Sequence, residues 1–168
     1  MPRATPSPGR QILLTWDRLS RLPFGKRLFS WGVGRAARYT GSVGGVYTEV
    51  RAGFARVELR DRPAVRNHLA SVHAVALVNL AEMTSGVALL TALPPGVRGI
   101  VTGLSISYLK KARGTLVCTT TAQPPSAVPE PMTHDVQADI VNAEGEVVAR
   151  CLVHWRLSPP DLTRETTQ

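Results

Sequence analysis

Asn67-His68-Leu69-Ala70-Ser71-Val72-His73 leads directly into Ala74-Val75-Ala76-Leu77-Val78-Asn79-Leu80-Ala81-Glu82, and the apolar run continues to Leu93 with Gly86 as its first glycine. From Ala74 to Leu90 apolar residues fall on nearly every side, the pattern of a helix surrounded by protein rather than one lying on a surface. Leu93-Pro94-Pro95-Gly96 stops it. A single charge, Glu82, interrupts the run. A carboxylate in a buried helix is costly unless it is paired, hydrogen-bonded or partly neutral. Asn79 and Ser85 stand one turn to either side of it, and the Asn67–His73 loop brings further polar side chains to the helix start. Loop, helix N-terminus and acid form one candidate site.

The run is long enough to cross a membrane. His73, Asn79 and Glu82 inside it, and alternating strand-like segments on both sides, make it the core helix of a globular domain instead. No stable membrane insertion is expected. His73 also has the position of a helix cap, and Glu82 on its own has a purely structural reading as an acid bonded to backbone or arginine. The combination carries the functional reading.

The chain of 168 residues, 43% of them hydrophobic, suits one domain with a sizeable core. Residues 1–10, rich in Pro and Ser, are expected to be disordered, and residues 158–168 to form a flexible tail. Nothing at the N-terminus has the form of a targeting signal. Cys118 and Cys151 lie in strand-like runs without metal-ligand spacing, so no metal is expected, and they read as buried hydrophobes in a reducing compartment. The expected location is the cytoplasm. The formal net charge is +8, and much of the excess comes from Arg10, Arg18, Arg21, Lys26, Arg27, Arg35 and Arg38, with Asp17 the only acid among them. Such a balance favours anionic partners, including nucleotide-bearing small molecules. No zinc-finger spacing or aromatic ribonucleoprotein motif is present, and no nucleic-acid partner is expected.

In chain order, residues 11–22 place Ile12, Leu13, Trp16 and Leu19 at helical spacing, and a second helix is predicted over residues 26–39. This basic amphipathic pair, filling an extension over residues 11–45, fits packing on its own domain or a sister subunit, or a membrane surface. Residues 41–45 read as a break. Two short strands follow around Gly53, with Ala55, Val57 and Leu59 alternating against Arg56, Glu58 and Arg60. After the long helix the chain is all strand: residues 98–109, 115–122, 133–141 and a last strand to Leu157, the last two joined by an Asn142-Ala143-Glu144-Gly145 hairpin turn. The prolines of residues 123–131 mark an irregular connection. One apolar helix between antiparallel strands implies an α+β domain over residues 46–157, its sheet of about six strands wrapped around that helix.

The Asn67-His68…His73-Ala74 loop, with Leu80-Ala81-Glu82 nine residues beyond His73, resembles the loop and acid-bearing helix of the hotdog-fold acyl-CoA thioesterases. The likeness is to their phenylacetate-degradation (PaaI-like) branch and its uncharacterised relatives. Tyr108-Leu109-Lys110-Lys111-Ala112-Arg113-Gly114 is similar to the end of that family's third strand and the turn after it. The likeness covers roughly residues 46–157. The chain departs from the family where glycines follow the His, having Ala74 and Val75. It has Glu where the closest relatives use Asp, and Val101 where some carry Ser or Thr.

The resemblance implies hydrolysis of an acyl-CoA or related pantetheine thioester, with coenzyme A as part of the substrate and no separate cofactor. Glu82 would activate water or attack the carbonyl, and the Ala74 backbone N–H would polarise the thioester carbonyl. Asn67 would orient water or thioester, and His73 the loop or the carbonyl. Asn79, Lys110, Lys111 and Arg113 would contact the substrate, the basic turn reading the CoA nucleotide. The resemblance also implies a homodimer or a dimer of dimers, with Asn67 of one chain facing Glu82 of the other. Two other readings stay open: a hydratase or dehydratase using His73 and Glu82 as acid and base, and a non-catalytic acyl-CoA or lipid-binding module.

Overall fold

The computed structural model describes residues 7–160. Three helices come first: α1 (Pro8–Leu19), α2 (Gly25–Ala36) and α3 (Arg38–Val43). Strands β1 (Val46–Arg51) and β2 (Phe54–Leu59) precede the long helix α4 (Ala74–Ala92), and β3 (Arg98–Tyr108), β4 (Leu116–Thr121), β5 (Met132–Val141) and β6 (Val147–Ser158) follow it. The predicted order of helices, two strands, one buried helix and four strands holds throughout.

The boundaries differ at the N-terminus. The first helix starts at Pro8, inside the stretch expected to be disordered. Proline fits a first helical turn, where its missing N–H has no partner to lose, and Ser7 Oγ accepts from the Arg10 N–H at 3.4 Å. The rest of that stretch, residues 1–6, lies outside the described residues, as do residues 161–168 of the expected tail. The predicted second helix divides at Ala37, whose non-helical backbone (φ −116°, ψ 85°) separates α2 from α3. Helix α3 occupies part of what reads as a break because α2 and α3 cross without side chains between them. A Cβ on Gly41 would lie 2.8 Å from Gly34 O, and one on Gly34 would lie 2.9 Å from Gly41 Cα. Arg62 then donates to the carbonyls of Val43, at 2.9 Å, and Ser42, at 3.4 Å, satisfying the far end of α3.

The six antiparallel strands form one sheet in the order β1-β2-β4-β5-β6-β3, curled around α4. Inward residues alternate as the sequence predicts: Ala149, Cys151, Val153, Trp155 and Leu157 of β6 are buried. Leu80, Ala81, Ala88 and Leu89 of α4 meet them with no solvent exposure. Fully burying a Leu or Ile side chain contributes roughly 1.5–3 kcal/mol, so this layer holds the helix in place. By length and composition α4 is the one helix among the described residues able to cross a membrane, yet 67% of it is buried inside the fold. Cys118 and Cys151 are buried free thiols, pushed up by desolvation to about 12 and about 11.

The N-terminal helices share this core. Trp16, Phe29 and Tyr47 pack edge to face, with centroids 5.0 and 5.5 Å apart, joining α1, α2 and β1. Helix α2 also closes one edge of the sheet: Ser30 Oγ accepts from the Tyr47 N–H at 2.9 Å, and Lys26 Nζ donates to Thr48 O at 2.9 Å. The other edge, β3, has no such cover among the described residues. Ile100, Leu104 and Tyr108 are 65%, 41% and 50% exposed along it. An uncovered apolar edge strand of eleven residues is a template for pairing with another chain.

Candidate active site

The loop before α4 is held from several directions. An isolated bridge between Arg66 and Val72 closes it, and Ala70 takes a left-handed backbone, φ 53°, at its tip. Asp61 ties the start of the loop to the basic turn, accepting from Arg66 Nε at 2.6 Å and from the Gly114 N–H at 3.0 Å, and the Arg66 bond holds its carboxyl below the usual range. Asn67 Oδ1 accepts from the Leu69 N–H at 2.9 Å and from the Ser71 N–H at 3.3 Å. Two backbone donors on that oxygen fix the amide's orientation, and Nδ2 makes no hydrogen bond among the described residues.

His73 caps α4: its Nδ1 accepts from the Val75 N–H at 3.1 Å. The ring stands exposed. Ala74, at the first helical position, has an N–H with no acceptor among the described residues, at the positive end of a 19-residue helix. Asn67 and Ala74 line one cleft of about 390 Å³ with Tyr108, Lys110 and Lys111. Four of the residues singled out in the sequence thus meet in a single cleft.

The three cations of the basic turn are not equivalent. Lys110 is paired with Glu146. Arg113 donates to the backbone carbonyls of Ala70, at 3.2 Å, and Leu69, at 3.5 Å, bracing the Asn67 loop from behind. Lys111 is exposed and unpaired among the described residues.

Glu82 stands apart from this cleft in the same chain. Eight residues separate it from Ala74, about 12 Å along the axis and roughly 80° around it. It faces α3, where Thr40 lies beside its carboxylate. Burial raises its pKa above the ordinary value, and Thr40 opposes that shift only in part. Asn79, one turn earlier, is buried and donates to Tyr39 O at 3.4 Å, while its Oδ1 has no partner among the described residues. Its amide ties α3 to α4 and stands outside the Asn67 cleft. A larger cleft of about 840 Å³, lined by Arg27, Trp31, Arg35, Arg38, Thr40 and Met83 among others, extends as far as Thr40 without taking in Glu82 itself.

Thr40 escaped the sequence reading because nothing in Arg38-Tyr39-Thr40-Gly41 signals a helix laid over Glu82. A second missed cluster is Ser105–His154–Asp135, with Ser105 Oγ 3.1 Å from His154 Nε2 and His154 Nδ1 2.8 Å from Asp135. Sheet register aligns these three on the outer face, across the sheet from α4, so they do not join Glu82.

A six-stranded antiparallel sheet curled around one buried helix, with polar groups at that helix's start and middle, defines a hotdog-fold protein. Solved structures share the arrangement. A structural-genomics crystal structure is 26% identical, with a TM-score of 0.75, covering 88% of this chain and 98% of that one. A Pseudomonas aeruginosa protein of unknown function, named a probable thioesterase, is 19% identical, with a TM-score of 0.69 and coverage of 82% and 96%. A phenylacetic acid degradation-related protein from Ralstonia eutropha is 19% identical, with a TM-score of 0.59 and coverage of 71% and 89%. No curated protein matches the sequence. The chain belongs to the family described as a domain of unknown function, DUF4442, which matches residues 25–157. That match takes in α2 and α3 with the sheet.

Proposed function

We propose that the protein hydrolyses a thioester of coenzyme A or of another pantetheine carrier, at a site completed by two copies of the chain. The observation that carries this reading is Glu82, the only charged residue of α4, half-buried and with its pKa raised. The thioesterase names borne by fold neighbours support the same reaction class.

In this reading Glu82 takes a proton from water, whose oxygen attacks the thioester carbonyl carbon. Direct attack by the carboxylate, giving an anhydride that water opens, uses the same position. The Ala74 N–H and Asn67 Nδ2 receive the negative oxygen of the tetrahedral intermediate, and the C–S bond breaks as the thiol leaves with the proton from Glu82. A thioester group is only a few ångströms across, and within one chain the acid and this donor pair are too far apart to share it. Pairing of two β3 edges brings a second chain's acid into play. Lys111 is the cation of the turn left for the nucleotide phosphates. His73, with Nδ1 already occupied as the helix cap, is poorly placed as the base or acid of a hydratase.

A thiol-release assay over a series of acyl-CoA chain lengths tests the proposal. Release of free CoA is the expected result. Hydration of an enoyl-CoA without thiol release, or tight binding without turnover, would replace it with one of the other two readings.

A further inference from the structure

Helix α2 carries an apolar stripe that the fold does not use. Phe24, Leu28 and Trp31 follow one another at helical spacing and are 78%, 53% and 64% exposed, with Leu22, 56% exposed, extending the stripe into the preceding turn. Phe24 holds a left-handed backbone, φ 59°, which is costly for a bulky residue, and its ring projects into solvent. Exposed cations flank the stripe: Arg21, Arg27, Arg35 and Arg38, with the Arg35 guanidinium 5.6 Å over the Trp31 ring. Asp17 is the only acid before residue 49. Glu58, in the groove beside Leu22 and Phe24, is already paired with Arg60 at 3.6 Å.

We propose that this face of α2 docks the protein on an anionic lipid surface, with Phe24, Leu28 and Trp31 entering the headgroup boundary and the arginines contacting phosphates. Aromatic and leucine side chains ringed by cations on a helix that lies flat have the composition of interfacial helices. The face does not suit a second copy of the chain. A two-fold contact sets identical patches against each other, and here that opposes two sets of arginines without acids to neutralise them. A nucleic acid would stack on Trp31 and Phe24 but has no use for Leu22 and Leu28, which an acyl-chain boundary buries. The 840 Å³ cleft shares Arg27, Trp31 and Arg35 with this face and extends to Thr40, so an amphiphile drawn from the bilayer would arrive at the helix that neighbours Glu82. The docking proposal does not depend on the chemistry at Glu82.

The tryptophans supply the test. Trp16 and Trp155 are 6% and 5% exposed, so a change in emission on binding comes from Trp31. The full chain is mixed with vesicles of phosphatidylcholine, with or without phosphatidylglycerol, and followed by co-sedimentation and tryptophan emission. Binding and a blue shift are expected only with phosphatidylglycerol, and both weaken with salt. Trp31→Phe should lose the shift yet still sediment. Phe24→Ser with Leu28→Ser, or Arg27→Glu with Arg35→Glu, should weaken sedimentation on the order of tenfold. All these positions are exposed, so the fold is spared. Absence of binding to anionic vesicles would overturn the proposal, as would a Trp31 shift produced by duplex DNA but not by lipid. So would a self-association of the chain that the Phe24 and Leu28 variants abolish.

Discussion

Thr40 lies beside the Glu82 carboxylate and favours its charged form, placing a residue from a six-residue helix next to the only charge of the core helix. Burial raises the Glu82 pKa and Thr40 draws it back, so α3 sets how much of the acid is ionised at a given pH. Thr40→Val removes the hydroxyl at nearly constant volume. The acid limb of kcat/KM should then move to higher pH, with activity at mildly acidic pH falling on the order of tenfold and the alkaline plateau little changed. A pH–rate profile that superimposes on wild type would separate Thr40 from the acid.

The raised pKa also has a sign for stability. The native state holds the Glu82 proton more tightly than the unfolded chain, so the acid costs nothing below the ordinary carboxylate range near 4.5. The cost develops as pH rises through the raised value and persists above it. Glu82→Gln keeps an acceptor for Thr40 and removes the charge. At neutral pH its Tm should rise on the order of 2 °C, and the gain should vanish in acid. A lower Tm at neutral pH would mean that the ionised carboxylate stabilises the fold.

Much of this arrangement was legible in the chain. The unbroken apolar run from Ala74 identifies a buried helix, and period-two alternation in residues 98–109 and 133–157 marks strands, because burial on one face imposes those spacings directly. Asn67, His73 and Glu82 stood out as polar groups against that background. Helix α3 was not legible: Arg38–Val43 has no apolar period, and its helix depends on the Gly34–Gly41 crossing and on the cap from Arg62, 19 residues beyond Val43. The basic turn read as three equal cations because their partners, Glu146 and the Leu69–Ala70 carbonyls, come from elsewhere in the fold.

Those partners sort the turn. Lys111→Ala should raise KM for an acyl-CoA about fivefold while leaving a short pantetheine thioester unchanged, the effect of one exposed contact of about 1 kcal/mol. Arg113→Ala should lower kcat for both substrates, since it releases the Asn67 loop. Steady-state kinetics on the two substrates check the split, and equal effects of the two variants would refute it.

A shared site predicts complementation. Asn67→Ala and Glu82→Gln proteins, each inactive, should recover roughly a quarter of wild-type activity when unfolded and refolded together, because random pairing leaves one intact site in half the dimers. Lysine at Ile100 and Leu104 should give monomers by light scattering and abolish turnover. Mixed dimers, confirmed by mass, that stay inactive would place the whole site within one chain.

The chemistry itself rests on Glu82, and thiol release measured with wild type and Glu82→Gln in parallel tests it most directly. The wild type should release free thiol from an acyl-CoA, and the variant, folded by circular dichroism and of the same mass in solution as wild type, should be slower by about 10²–10⁴-fold. Equal rates for the two proteins, with the variant's fold intact, would contradict the account.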